Sequence, residues 1–229
     1  MAFRLKAVAD KGGPDRVAVI ASPQSSNEEL YLLRRLATEL LGTRNLAFTH
    51  RVAEDGFADD LLIQADKNPN SRGARLLGIP DGAVFDALVS KIAAGGIDAL
   101  LVFGNVLGPL SEEETGALLA KVPYVVQVGT NEGPVSKAAT AVLPSASVAE
   151  RGGTFTSHVG RVQRFRFGFP ARGKAKNPIE ILVSLGNRLG AGWTFAGEAS
   201  VFRAIAATEA PFAGMSYDSI GMFGQEIAG

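Results

Sequence analysis

The strongest constraint on the fold is an alternation that recurs along the chain: a short aliphatic run, a small polar turn, then an amphipathic helix. The first run, Arg16 to Ser22, is rich in β-branched residues, and its centre from Val17 to Ala21 is apolar at every position rather than on alternate ones. That pattern suits a parallel strand covered on both faces. Ser26 and Glu29 follow at capping-box spacing, in which the serine oxygen takes a first-turn N–H and the glutamate reaches back to the cap. Leu30, Leu33, Leu36, Ala37, Leu40 and Leu41 then recur at helical spacing up to Gly42.

The unit returns several times. Leu46 to Thr49 reads as a strand ending at His50 and Arg51. Gly82 to Ala94 reads as a helix, and Ile97 to Phe103 as a strand ending at Gly104 and Asn105. Ser111 and Glu114 form a second capping box. Tyr124 to Val128 is the next strand and ends at Gly129, Thr130 and Asn131; a short helix over Val135 to Ala139 and a strand over Ala141 to Leu143 follow. Four or more such alternations predict an α/β fold, a Rossmann-like parallel sheet covered by helices. Between Ala53 and Pro80 the periodicity fades, and Asp66 to Gly73 reads as an irregular loop. Met1 to Asp10 reads as the last turns of a helix.

Beyond Leu143 the pattern changes. Pro144 ends the strand, Gly152 and Gly153 precede a β-ribbon that turns over at Val159 and Gly160, and basic residues follow. Asn177 and Pro178 open a helix that runs through Leu189 to a stop at Gly190. Gly197 to Ala207 reads as a further helix, and the weakly patterned, glycine-rich end from Pro211 to Gly229 as a packed extended arm or a segment disordered on its own. The expected organisation is an α/β domain over 1–192, carrying the β-ribbon, and a C-terminal extension over 193–229 that supplies the helical and extended arm.

Composition removes several classes of chemistry. The chain has no cysteine and only two histidines, His50 and His158. Disulfides, cysteine-held iron–sulphur clusters, Cys-type zinc sites, a cysteine nucleophile and a multi-histidine metal site are therefore not expected. Formal net charge is zero, so no global field draws nucleic acid or a membrane surface. No apolar run approaches the roughly 18 residues that cross a bilayer, and the N-terminus lacks a signal-type apolar segment. The expected compartment is cytoplasmic.

In an open parallel sheet, ligands bind beyond the carboxyl ends of the strands. Here those ends carry Ser22, Ser25, Gly104, Asn105, Gly129, Thr130 and Asn131. Small, polar and uncharged, they can receive a nucleotide or pterin through N–H groups and hydroxyls; the same residue types also merely turn a chain and cap helices. The stretch from Gly104 to Pro109 is neither a GxGxxG fingerprint nor a P-loop. Seven Lys or Arg and no acid lie between Arg151 and Lys176, interleaved with Phe155, Phe165, Phe167 and Phe169. This describes either a basic binding surface or a strand with one apolar and one solvated face. His158 is either a proton carrier or an exposed, locally bonded histidine. No Ser-His-Asp order and no paired catalytic carboxylates stand out.

Leu143 and Pro144, Glu150, Gly153 and Thr154, Gly160 and Arg161, and Gln163 together resemble a signature of the molybdopterin oxidoreductase superfamily. In it a strand ending in Leu-Pro is followed by a Glu, a Gly-Thr pair, an Asn-x-Glu-Gly-Arg turn and a Gln. Ser157 and Val159 depart from it, at positions where the family usually has Asn and Glu. Pro178 to Leu182, running into Asn187 to Gly190, resembles the helix that follows in the family. Val17 to Pro23, Asn27 to Glu29, Tyr31 to Leu33, Leu41 to Asn45 and Asn70 to Ala74 most closely resemble the branch formed by the G subunit of respiratory NADH:quinone oxidoreductase (complex I).

The resemblance implies a non-catalytic scaffold with no cofactor in this chain, Arg161 and Gln163 serving as structural links or partner contacts. It implies partners among the other subunits of a respiratory oxidoreductase, placing the chain peripheral to the inner membrane through them without inserting. It also implies an upstream cluster-bearing region, which this sequence does not contain. The alternative is the pterin-binding part of a catalytic, formate dehydrogenase-like enzyme, whose strand-end loops would touch molybdopterin guanine dinucleotide. A free nucleotide-binding module is a third reading.

Overall fold

All five aliphatic runs form strands of one parallel sheet. A computed structural model describes residues 1–49, 58–105 and 107–227. The strands are β1 (Val17–Ala21), β2 (Leu46–Phe48), β3 (Ala99–Phe103), β4 (Tyr124–Gly129) and β5 (Ala141–Pro144), in the order β2-β1-β3-β4-β5. Burial on both faces explains their unbroken hydrophobicity. Val17, Val19 and Ala21 of β1 face one core, and Ala18 and Ile20 face the other. Leu101 and Leu100 of β3 divide in the same way.

The first core is covered by α1 (Ala2–Gly12), α2 (Asn27–Arg35), α7 (Pro178–Arg188) and α8 (Glu198–Thr208). The second lies under α4 (Ala83–Ala93), α5 (Glu112–Leu119) and α6 (Pro134–Ala138). Both predicted capping boxes form, Ser26 with Glu29 and Ser111 with Glu114. Beyond Arg35 the helix widens into a π-type turn over Leu36–Leu40, and Gly42 ends it with a φ of 69° that favours glycine.

The segment read as an irregular loop ends in a helix, α3 (Ser71–Leu76). Its six residues carry too little periodicity to be recognised. Local propensity is not what holds it: Asn70 donates to the Ser25 carbonyl and accepts from the Thr156 amide, 2.8 and 2.7 Å away. The ribbon consists of β6 (Gly153–Thr156) and β7 (Arg161–Phe165), antiparallel and joined at the predicted turn. Because β7 ends at Phe165, Arg166 and Phe167 do not continue its alternation.

The C-terminal end carries more structure than an extended arm. It forms α9 (Tyr217–Ile220) and β8 (Gln225–Glu226), and β8 pairs antiparallel with β7. Trp193, Phe202, Phe212 and Ile220 share the first core with Val17 and Leu30, so a glycine-rich sequence is ordered by a few buried anchors. Phe212→Ala is expected to lower unfolding free energy by about 3–5 kcal/mol in chemical denaturation. A loss under about 1 kcal/mol would show that the end of the chain is only loosely attached.

Candidate functional site

Strand order reverses between β1 and β3, and the crevice at such a switch is the usual ligand position of a doubly wound sheet. A cleft of about 800 Å³ lies there. Ser22, Ser25, Gly104, Asn105, Gly129, Thr130 and Asn131 all line it. His50 and Arg51 lie outside the described residues.

The strand ends are largely occupied with one another. Asn105 Oδ1 accepts from the amides of Thr130 and Asn131 at 3.1 and 3.3 Å, while its Nδ2 donates to Thr130 Oγ1 at 3.0 Å. Gly129 permits this approach, since a Cβ there would sit 2.5 Å from Asn105 Oδ1. Gly104 donates its amide to the Val128 carbonyl, and its carbonyl accepts from Gln127 Nε2, both at 2.9 Å. The Ser25 amide donates to the Ser22 carbonyl at 3.0 Å.

Among the described lining residues, Arg151 is the one cation. It is 7% exposed, forms a buried ion pair with Glu29 and donates through Nη2 to the Gln24 carbonyl at 3.3 Å. Glu112 and Glu132 add negative charge to the lining. The cleft has the volume for a nucleotide-sized molecule. Its described cation is already paired with Glu29 and the Thr130 and Asn131 amides are taken by Asn105, whereas Arg151 Nε and Thr49 Oγ1 are buried there without a hydrogen-bond partner.

Beneath the cleft the first turn of α2 is a buried polar cluster. Asn27 Nδ2 donates to Thr154 Oγ1 and Thr156 Oγ1 at 3.0 and 3.1 Å. Glu28 accepts from the Thr154 amide at 2.9 Å, the Thr154 hydroxyl at 3.0 Å and the Tyr217 hydroxyl at 2.7 Å. Burial pushes the Glu28 carboxyl up to about 7, and these hydrogen bonds hold it from rising further. Burial also raises Glu29, against the opposing charge of Arg151, and raises Tyr217, helped by the carboxylate of Glu28. The capping box and the acidic first turn were legible in the sequence. Full burial of two adjacent carboxylates was not, because acids in a first turn ordinarily face water and the helix dipole.

The basic run divides rather than forming one surface. Arg151 is buried, Arg161 pairs with Glu226 of β8, and the Arg164 guanidinium lies 4.4 Å from the Tyr217 ring centre. Phe155 and Phe165 stack at 4.5 Å, whereas Phe167 and Phe169 are exposed. His158 is exposed at the ribbon turn, where its carbonyl accepts from Arg72 at 2.7 Å. Gln163 is exposed. Among the described residues, no group of three or more His, Cys, Asp or Glu is placed to hold a metal ion, and no helix is long and apolar enough to cross a membrane.

Residues 72–188, just over half of the chain, match the family model described as molybdopterin oxidoreductase. The chain belongs to the molybdopterin oxidoreductase family. Among curated proteins it is 26% identical over 161 residues to "Probable oxidoreductase YjgC" of Bacillus subtilis, covering 68% of this chain and 16% of that one. It is 35% identical over 109 residues to the NADH-quinone oxidoreductase G subunit of Shigella flexneri, covering 47% and 12%. The F420-dependent formate dehydrogenase 2 subunit alpha of Methanococcus maripaludis is 37% identical over 91 residues, covering 39% and 14%. The chain thus spans at most 16% of the length of these relatives. Acetylene hydratase from Pelobacter acetylenicus superposes with a TM-score of 0.48 at 13% identity, covering 90% of this chain and 24% of the hydratase.

The buried cluster makes two predictions. Glu28 has a folded value of about 7 against an ordinary 4.5, so between those values the folded protein keeps a proton that the unfolded chain releases. Its contribution to stability is complete below about pH 4.5 and is lost as pH rises through about 7, a difference of roughly 3 kcal/mol. Glu28→Gln, which resembles the protonated form, should flatten that slope in denaturant titrations across this window; an unchanged slope would assign it elsewhere. At Gly73, a Cβ would lie 2.2 Å from both Asn27 Oδ1 and Asn70 Oδ1. Gly73→Ala should therefore cost about 1–3 kcal/mol or more, with thermal unfolding as the readout.

Proposed function

We propose that this chain is a non-catalytic scaffold portion of a complex I G-type subunit. Its work is to hold shape and subunit contacts, while electron transfer from NADH to quinone belongs to the parent complex. The observation that carries the reading is the self-satisfaction of the strand ends: Asn105 consumes the loop amides after β4, and the cleft's described cation is neutralised by Glu29. Similarity over 109 residues to a G subunit of NADH-quinone oxidoreductase is consistent with it. In this reading the chain is cytoplasmic and reaches the inner membrane only through partner subunits.

A second reading, the pterin-binding part of a formate dehydrogenase-like enzyme, is favoured by the cleft volume and by similarity to a formate dehydrogenase alpha subunit. Purified protein separates the two. The scaffold predicts no stoichiometric molybdenum, tungsten or iron by mass spectrometry, no pterin fluorescence after acid oxidation, and no heat on calorimetric titration with GDP. Stoichiometric molybdenum or tungsten with a released pterin would overturn the scaffold and establish the second reading.

A further inference from the structure

We propose that the groove between α1 and α7 is the seat of an acidic amphipathic helix from a partner subunit. This rests on the scaffold reading and names one of its contact surfaces. The groove has a volume of about 410 Å³ and is separate from the strand-end cleft. Leu143, Ile181 and Leu185 supply its apolar lining. Phe3 is a further lining residue and is 68% exposed, an apolar ring left in water by the chain itself.

Charge states what covers it. Lys174, Lys176 and Arg188 line the groove, are exposed, and have no carboxylate partner among the described residues; Glu180 is the one acid in the lining. Six arginines outside the groove differ in this respect. Arg16, Arg34, Arg35, Arg75, Arg151 and Arg161 each meet a carboxylate. Apolar contact flanked by unpaired cations is the complement of a helix with a leucine-type stripe and acidic edges. A groove between two helices also offers the ridges that seat a third. An anionic bilayer would share the charge, but a concave groove buries a side-chain row better than it buries a flat surface.

The test is assembly in the native host. Wild-type chain should migrate in a high-mass complex on native gels. Lys174→Glu/Lys176→Glu/Arg188→Glu and, separately, Phe3→Glu should each reduce the assembled fraction by about tenfold, with far-UV circular dichroism and melting of the purified chain unchanged. Arg166→Glu/Arg172→Glu, which reverses exposed charge outside the groove, should assemble normally. Should the triple variant misfold, the milder Lys174→Gln/Lys176→Gln/Arg188→Gln replaces it, with the same loss expected. A photo-cross-linker at position 3 should map to a segment rich in Asp and Glu at helical spacing; mapping to a neutral or basic segment would overturn the proposal. Wild-type chain assembled together with fully assembled groove variants sinks the groove alone. Wild-type chain that migrates free sinks the scaffold reading, and the groove with it. Sedimentation of wild type but not the triple variant with phosphatidylglycerol vesicles would make a membrane the occupant instead.

Discussion

The structure depends on burying two adjacent carboxylates at the start of α2. Glu28 and Glu29 are fully enclosed, and each must be answered by donors from distant parts of the chain. Thr154 answers Glu28 from the ribbon and Tyr217 from near the C-terminus, while Arg151 answers Glu29. Removing one member of such a buried ion pair typically costs about 3–5 kcal/mol, because the other charge is stranded. Ribbon, first sheet helix and C-terminal segment are therefore bound into one unit by electrostatic necessity, not only by apolar packing.

The same cluster explains which parts of the sequence could be read. Strands such as Ala99–Phe103 and helices such as α5 announce themselves through local pattern: continuous burial on both faces, a capping box, a period of 3.6. The strand-end residues were legible for the same reason, since the carboxyl edge of a parallel sheet follows from strand direction alone. By contrast, α3 and the segment around α9 are held by long-range contacts, among them the bonds from the Thr156 amide to Asn70 and from Tyr217 to Glu28. Those bonds join residues more than 80 positions apart, and nothing in the local sequence reports them.

At the strand ends, geometry separates what residue type could not. Serine, threonine, asparagine and glycine are suitable both for receiving a ligand and for closing a turn. The distances favour the second use at Asn105, whose side chain spans to Thr130 and Asn131 while Gly129 makes room for it. A cleft can keep its volume while its hydrogen-bonding groups turn inward, so volume alone is a poor guide to binding.

The residues that carried the family resemblance have a corresponding meaning. Asn27, Glu28, Glu29, Asn70, Gly73 and Thr154 converge on one buried cluster, while Arg161 ties the ribbon to β8. Their spacing is demanded by the way the ribbon is clasped to α2, whatever the cleft above contains. A signature of this kind reports the clasp, and it is equally compatible with relatives named as a complex I subunit and as a formate dehydrogenase. What distinguishes a scaffold from an enzyme must lie where the clasp places no demand: in the charge and free donors of the cleft, and in the surfaces left uncovered outside it.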